Sequence, residues 1–325
     1  MHPAFSVIFL TTLIGVGQGL FLALYTGQLY SVVNVLPVQD SHNFYGIGSL
    51  VALMFLVGGL ISSIFHLGRP ERAWRSAAMW RTSWLSREVI VLPMFMGMTT
   101  LYGVVHYFDW NPILFSLDDS LHVDLSLVIG AINTILAFSL FICTGMIYAC
   151  IKFLQEWATP LTVVNYTLLG AASGFILATG FAAWNGSELV SFYAVWSIII
   201  TLSAFLTRGA SLIRNTRIKY KSNLRTAIGI RHNKIQQKSQ GFMTGSFNTR
   251  EYFHGVKMSL FKAIKWVFLI LVFPVPIALL ASGLIADSLV LFAAAFLVQY
   301  LGLIFERWFF FAQAKHPQNL YYQTV

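Results

Sequence analysis

Charge is what this sequence has least of. Asp, Glu, Lys and Arg together make up 10% of its 325 residues, where a soluble domain carries roughly a quarter, so a water-soluble globular fold is excluded at the outset. Cysteine is scarcer still. The two present, Cys143 and Cys150, cannot supply the four thiolates of an iron–sulfur cluster and read as small buried residues on one helical face. No short apolar core with a cationic flank and a cleavage site opens the chain, so no removable signal segment is expected. The alternation of apolar and polar residues that marks a membrane β-barrel is missing as well. Two of the eight histidines could in principle ligate a haem. Their placement argues against it, because His66 and His106 fall at opposite ends of neighbouring apolar stretches, while His42 and His122 lie in or beside loops.

What is abundant is apolar length. Hydrophobic residues make up 57% of the chain and the mean hydropathy is +0.70. Eight stretches, near 4–30, 45–66, 88–107, 125–151, 161–182, 189–207, 264–284 and 289–311, are each long enough to cross a bilayer as a helix that satisfies its own backbone hydrogen bonds. The expected fold is therefore an all-α integral membrane protein of eight transmembrane helices, one membrane domain spanning 1–325. Positive charge then separates without exception. With eight spans, all 21 Lys and Arg fall on the side of the termini and the even-numbered loops, and the other side has none. Positive loops resist translocation, which predicts cytoplasmic termini and a multi-pass protein of the bacterial cytoplasmic membrane. The high pI of about 9.6 is accounted for by basic loops facing anionic lipid rather than nucleic acid.

The largest of those loops, 208–263, is expected to be basic and cytoplasmic. Its second half regains aromatic residues from Gly241 onward, which fits docking on a partner or an amphipathic segment lying on lipid. Within the spans, Gly170 and Gly174 form a small-residue pair suited to close helix approach, and Pro274 and Pro276 predict a break in the seventh span. A broken helix also occurs in transporters, so solute transport stands as a distant alternative.

Chemistry-bearing residues concentrate between the second and third spans, in FHLGRPERAWRSAAMWRTSWLSREVIVLP. Gly68 and Pro70 end one helix and start another. Arg69, Arg72, Arg75 and Arg81 alternate with Trp74, Trp80 and Trp84, the pattern of a short interfacial helix. Ser86 is the expected N-cap of the third span, with Glu88 in its first turn and hydrated. His66 and Glu88 thus sit at the ends of adjacent helices. Exchange of two electrons and two protons with a quinone needs such proton-exchanging groups at its oxygens. The plain structural reading is that His66 caps a helix, Glu88 complements a helix dipole and the arginines set topology.

The run HLGRPERAW followed by SWLSRE resembles the anchor-subunit family of dimethyl sulfoxide reductase, over nearly the whole chain. That resemblance implies an anchor exchanging electrons with menaquinone or ubiquinone, beside a molybdopterin catalytic subunit and an iron–sulfur subunit. No haem or cluster is expected in the chain itself. It also implies quinol binding at His66 and Glu88, and more weakly at Gln18 in GVGQG. The loop itself adds Arg69 and Arg72, to orient the headgroup or contact the iron–sulfur subunit, Trp74 and Trp84 as walls of the slot, and Ser86 beside them. The long loop with FNTREYFHG resembles the membrane subunits of sulfite:quinone dehydrogenases, which favours sulfite oxidation over reduction of a sulfoxide or related compound.

Overall fold

The structure is a computed structural model that describes residues 1–118, 121–232, 234–235 and 257–322. Eight helices among these residues are long and apolar enough to cross a membrane. They are α1 (Phe5–Val32), α2 (Ile47–Ile64, led in by a π-turn at Ser41–Gly46), α3 (Trp84–Tyr107), α4 (Leu125–Ala149), α5 (Pro160–Trp184), α6 (Val190–Thr216), the pair α8 (Met258–Val272) and α9 (Pro274–Ala286), and α10 (Leu289–Ala312). A short α7 (Leu224–Ile228) follows the sixth span. Such runs are helical because lipid offers no partner to a backbone N–H or C=O.

Packing in lipid gains little from the hydrophobic effect and depends on close contact. The small-residue pair of α5 serves that purpose against α1. An added Cβ on Gly174 would collide with the backbone of Gly19, and one on Gly170 would lie 3.2 Å from Gly15 Cα. α1 and α5 are accordingly the most buried spans, with the others arranged around them. The break in the seventh span falls where its prolines put it, at Phe273 between α8 and α9. Pro276 has no N–H to bond the carbonyl of Val272. Gln299 of α10, fully buried, donates its Nε2 to that carbonyl at 3.3 Å.

Two features depart from the sequence reading. The loop between α3 and α4 forms a small antiparallel hairpin, β1 (Ile113–Asp118) with β2 (Leu121–Asp124), whose last residue caps α4 through Asp124 Oδ1 and the Leu127 N–H. α6 continues to Thr216, so Arg208 lies inside the bundle rather than at the start of a loop. At the face bearing the basic loops, the Met1 amino group donates to Ala314 O at 2.6 Å and Trp157 Nε1 to Phe310 O at 2.9 Å. Both ends of the described chain therefore meet on one side, called the inner side below.

Candidate functional site

The segment after α2 is an exposed shelf. His66 stands two residues beyond the helix and is exposed; partial desolvation moves its pKa below the usual 6.5, so the imidazole is neutral at pH 7. Pro70–Met79 forms a 3₁₀ helix with no buried residue. Three residues per turn line up every third side chain, which sets Arg69, Arg72 and Arg75 in one stripe beside Trp74, itself 72% exposed. Arg87 closes the shelf onto α3: it lies 4.2 Å over the Trp84 ring and donates to the carbonyls of Trp80 (2.9 Å) and Arg81 (2.8 Å).

The start of α3 corrects two expectations. Ser83, not Ser86, is the N-cap, accepting from the Ser86 N–H at 3.3 Å, and Ser86 is buried in the first turn. Glu88 is the fifth residue of the helix and points into the bundle, 8% exposed, where its carboxylate accepts from Thr144 Oγ1. It is not a hydrated helix-end carboxylate. The helix begins two residues before Ser86, which carries Glu88 past the first turn and among the buried residues of α3.

Glu88 faces a slot between five spans. Gln18, Thr144, Tyr166, Gly170 and Arg307 are among its walls. Gln18 is buried, held by donation from Nε2 to Ala137 O at 2.9 Å. The free space is about 20 Å³, room for roughly one water or one oxygen-sized group; a larger ring requires the walls to part. The slot is polar because Glu88 and Thr144 meet across the α3–α4 contact, and Gly15 and Gly170, whose missing side chains bring α1 and α5 together, form part of its wall.

Behind the slot lies a charged cluster that the sequence reading did not single out. Glu306 Oε1 is 2.8 Å from Arg208 Nε, and Oε2 is 2.8 Å from Arg307 Nε. All three residues are at most 4% exposed. The Arg307 guanidinium lies 3.8 Å over the Tyr166 ring. The signal was present as a Glu-Arg pair inside the apolar LIFERWFF of the eighth span, since ionisable residues within a membrane are rare and usually functional. Counting arginines by side of the membrane concealed it.

Residues 1–312 match the family model described as DMSO reductase anchor subunit (DmsC). The chain belongs to that family. Over 325 residues, covering all of both chains, it is 58% identical to a sulfite dehydrogenase subunit of Allochromatium vinosum. It is thus a membrane anchor subunit of an oxidoreductase, from a family that works in assemblies of several subunits.

Two further expectations are resolved in this anchor subunit. Cys143 is buried on α4, but Cys150 is the exposed C-cap of that helix, so the two do not share a buried face. The aromatic stretch 241–256 of the long loop lies outside the described residues. On the same inner face, a cleft of about 530 Å³ is walled by Lys152, Lys221 and Lys315, with no acidic side chain among its described lining residues.

Proposed function

We propose that this anchor subunit passes electrons to the membrane quinone pool from a sulfite-oxidising complex. Glu88 is the observation that carries the reading: a buried carboxyl, hydrogen-bonded to Thr144, lining a polar slot a short way inside the face that bears His66 and the arginine–tryptophan shelf. The full-length relation to a subunit of a sulfite dehydrogenase supports the substrate. Segregation of Lys and Arg supports a cytoplasmic inner face in a bacterial cytoplasmic membrane, with the molybdopterin and iron–sulfur partners docked there.

The chemistry balances across subunits. Sulfite and water become sulfate on the molybdopterin partner, releasing two protons and two electrons. The iron–sulfur partner carries the electrons to a quinone in the anchor, which takes up two electrons and two protons to become the quinol. Glu88, sequestered, donates one proton, and His66, accessible and neutral at rest, relays the other by taking a proton from the inner aqueous phase and passing it on. Gln18 lines the slot itself and Ser86 is buried in the first turn of the helix that presents Glu88, while Trp74 and Trp84 flank the ring and tail, and Arg69 and Arg72 face the headgroups or the docked partner. The tail stays in lipid, while the ring approaches the inner helix ends within electron-transfer range of the partner.

A second reading runs the same parts backward, with quinol oxidised to reduce dimethyl sulfoxide or a related compound, and is favoured by the description of the matched family. The deciding experiment uses the intact complex. Glu88→Gln and His66→Leu are expected to cut quinone-coupled turnover by about a hundredfold, the scale of a lost general acid or base, while sulfite-to-dye activity persists. Full quinone-coupled activity in both variants overturns the reading. Sulfoxide-dependent quinol oxidation without sulfite-to-dye activity selects the second.

A further inference from the structure

We propose that Arg307 binds the reacting quinone oxygen in the slot whose wall it shares with Glu88, as a fixed cation that stabilises the negative charge arriving with each electron. This rests on the quinone reading above and adds to it a residue that no sequence motif named.

Geometry carries the argument. Arg307 is locked in three ways: Nε is bound to Glu306 Oε2 at 2.8 Å, the guanidinium plane lies on Tyr166 at 3.8 Å, and α10 holds it 4% exposed. Its Nη1 is buried and makes no hydrogen bond of ordinary geometry among the described residues, the guanidinium's other polar neighbours being Glu306 and the Tyr166 hydroxyl, and Arg307 lines the same slot as Glu88 and Gln18. A buried N–H donor without an acceptor is uncommon, and a preorganised donor aimed at developing charge is an arrangement that accelerates chemistry.

Charge balance points the same way. Glu306 divides one negative charge between two guanidiniums, Arg208 and Arg307, leaving the cluster one positive charge in excess. Such an excess in a membrane interior is expensive unless a negative group answers it. The charged and titratable groups around Glu88 are Arg307 of α10, Tyr166 of α5, Tyr148 and Cys143 of α4, and Arg87 of its own helix. With Glu88 protonated, nothing anionic in the slot offsets Arg307.

An electron from the iron–sulfur partner then places a negative charge on the quinone oxygen, which Arg307 Nη1 receives as a hydrogen-bond donor. The Glu88 O–H bond breaks and an O–H bond forms on the quinone. The carboxylate left behind faces Arg307 until it regains a proton from the inner aqueous phase. The second electron is matched by a proton that His66 takes up from the inner aqueous phase and passes to the second quinone oxygen, returning to its neutral form.

The test compares Arg307→Gln, Arg307→Lys and Glu88→Gln in the whole complex, with a short-tailed quinone and with a dye. Arg307→Gln leaves Glu306 paired with Arg208. It is expected to lose at least about a hundredfold in quinone-coupled kcat/KM, with dye activity unchanged. Arg307→Lys keeps the charge but loses the planar fork and the stacking, and is expected to recover no more than about a tenth of wild-type turnover. Quinone-coupled turnover of Arg307→Gln within twofold of wild type, while Glu88→Gln is inactive, overturns the role of Arg307 and leaves the quinone reading standing. Full activity in both removes the quinone reading itself. If Arg307→Gln fails to assemble, Arg307→Lys decides: full turnover in that variant makes the residue a structural cation only.

Discussion

The inner and outer halves of the bundle both bury polar groups, but they dispose of them differently. In the outer half the chain of bonds ends on itself. The Tyr102 hydroxyl donates to Gln28 Oε1 at 2.7 Å, Gln28 Nε2 to Ser126 Oγ at 2.6 Å, and Ser126 Oγ to the Asp124 carboxylate at 3.0 Å. His106 Nδ1 meets Ser41 Oγ at 2.7 Å, and the rings of Tyr45 and Tyr102 cover the imidazole at 4.9 and 4.5 Å. Nε2 of His106 is left over, yet it is packed among rings rather than aimed at a charged slot. The inner half buries three acidic side chains, Glu88, Glu156 and Glu306, with two guanidiniums and free space. A run of bonds that closes on one helix-capping carboxylate rigidifies a bundle, whereas fixed charge beside a slot is equipment for moving protons and electrons.

The sharpest way to break this contrast is to remove one member from each half. Glu306→Leu strands Arg208 and Arg307 without a counter-charge, which costs about 3–5 kcal/mol for a broken buried pair; the expected result is loss of the assembled subunit. Gln28→Leu leaves the buried Tyr102 hydroxyl without its acceptor, a penalty of about 1–3 kcal/mol, so the complex should assemble with a lowered midpoint in thermal aggregation assays. Equal tolerance of both changes would erase the distinction between the halves.

Turnover separates them next. Glu88→Gln is expected to lower quinone-coupled turnover about a hundredfold, while Tyr102→Phe and His106→Leu stay within about threefold once normalised to assembled complex. Collapse of turnover in His106→Leu, with dye activity intact, would move the quinone chemistry to the outer half.

These contrasts also show what could be read from the chain beforehand. The eight spans were legible because a bilayer forces long apolar runs into helices, and the proline break at Phe273 because Pro276 cannot bond Val272. Glu88 was found through HLGRP and SWLSRE, but its register was misjudged. Ser83 and Ser86 are both competent caps, and local sequence does not say which of them the backbone uses. That two-residue choice decides whether Glu88 sits at the surface or in the slot. The Glu306 cluster was hidden for a different reason. Arg208 and Arg307 come together from the sixth and eighth spans, a contact that no short motif encodes, and each passed as an ordinary cation near a helix end. The pairing of β1 with β2 joins residues with no strong strand signal of their own.

Packing supplies a smaller expected effect. Gly174→Ala forces a methyl onto the Gly19 backbone at the α1–α5 crossing, an overpacking of about 1–3 kcal/mol that should lower the yield of assembled subunit. Gly97→Ala on α3, where an added Cβ meets nothing within 4 Å, should leave it unchanged. Because Gly15 and Gly170 border the slot, the Gly174 variant should also raise the KM for a short-tailed quinone before it lowers kcat.

The smallest effect belongs to the shelf. Arg72 is half exposed, and its contact with Glu71 at 3.9 Å joins two solvated groups, a pairing worth about 0–1 kcal/mol. Arg69→Ala and Arg72→Ala should therefore change quinone KM by less than about threefold. Their charge still reaches a docked partner across roughly one Debye length, about 8 Å at physiological ionic strength, so each should lower the salt concentration at which the iron–sulfur subunit dissociates during purification. The two measurements pull apart what the exposed arginines do from what the buried one does. If Arg72→Ala abolishes quinone-coupled turnover while the complex holds together at high salt, the ring binds on the shelf, and the slot between Glu88 and Arg307 serves only to pass protons toward it.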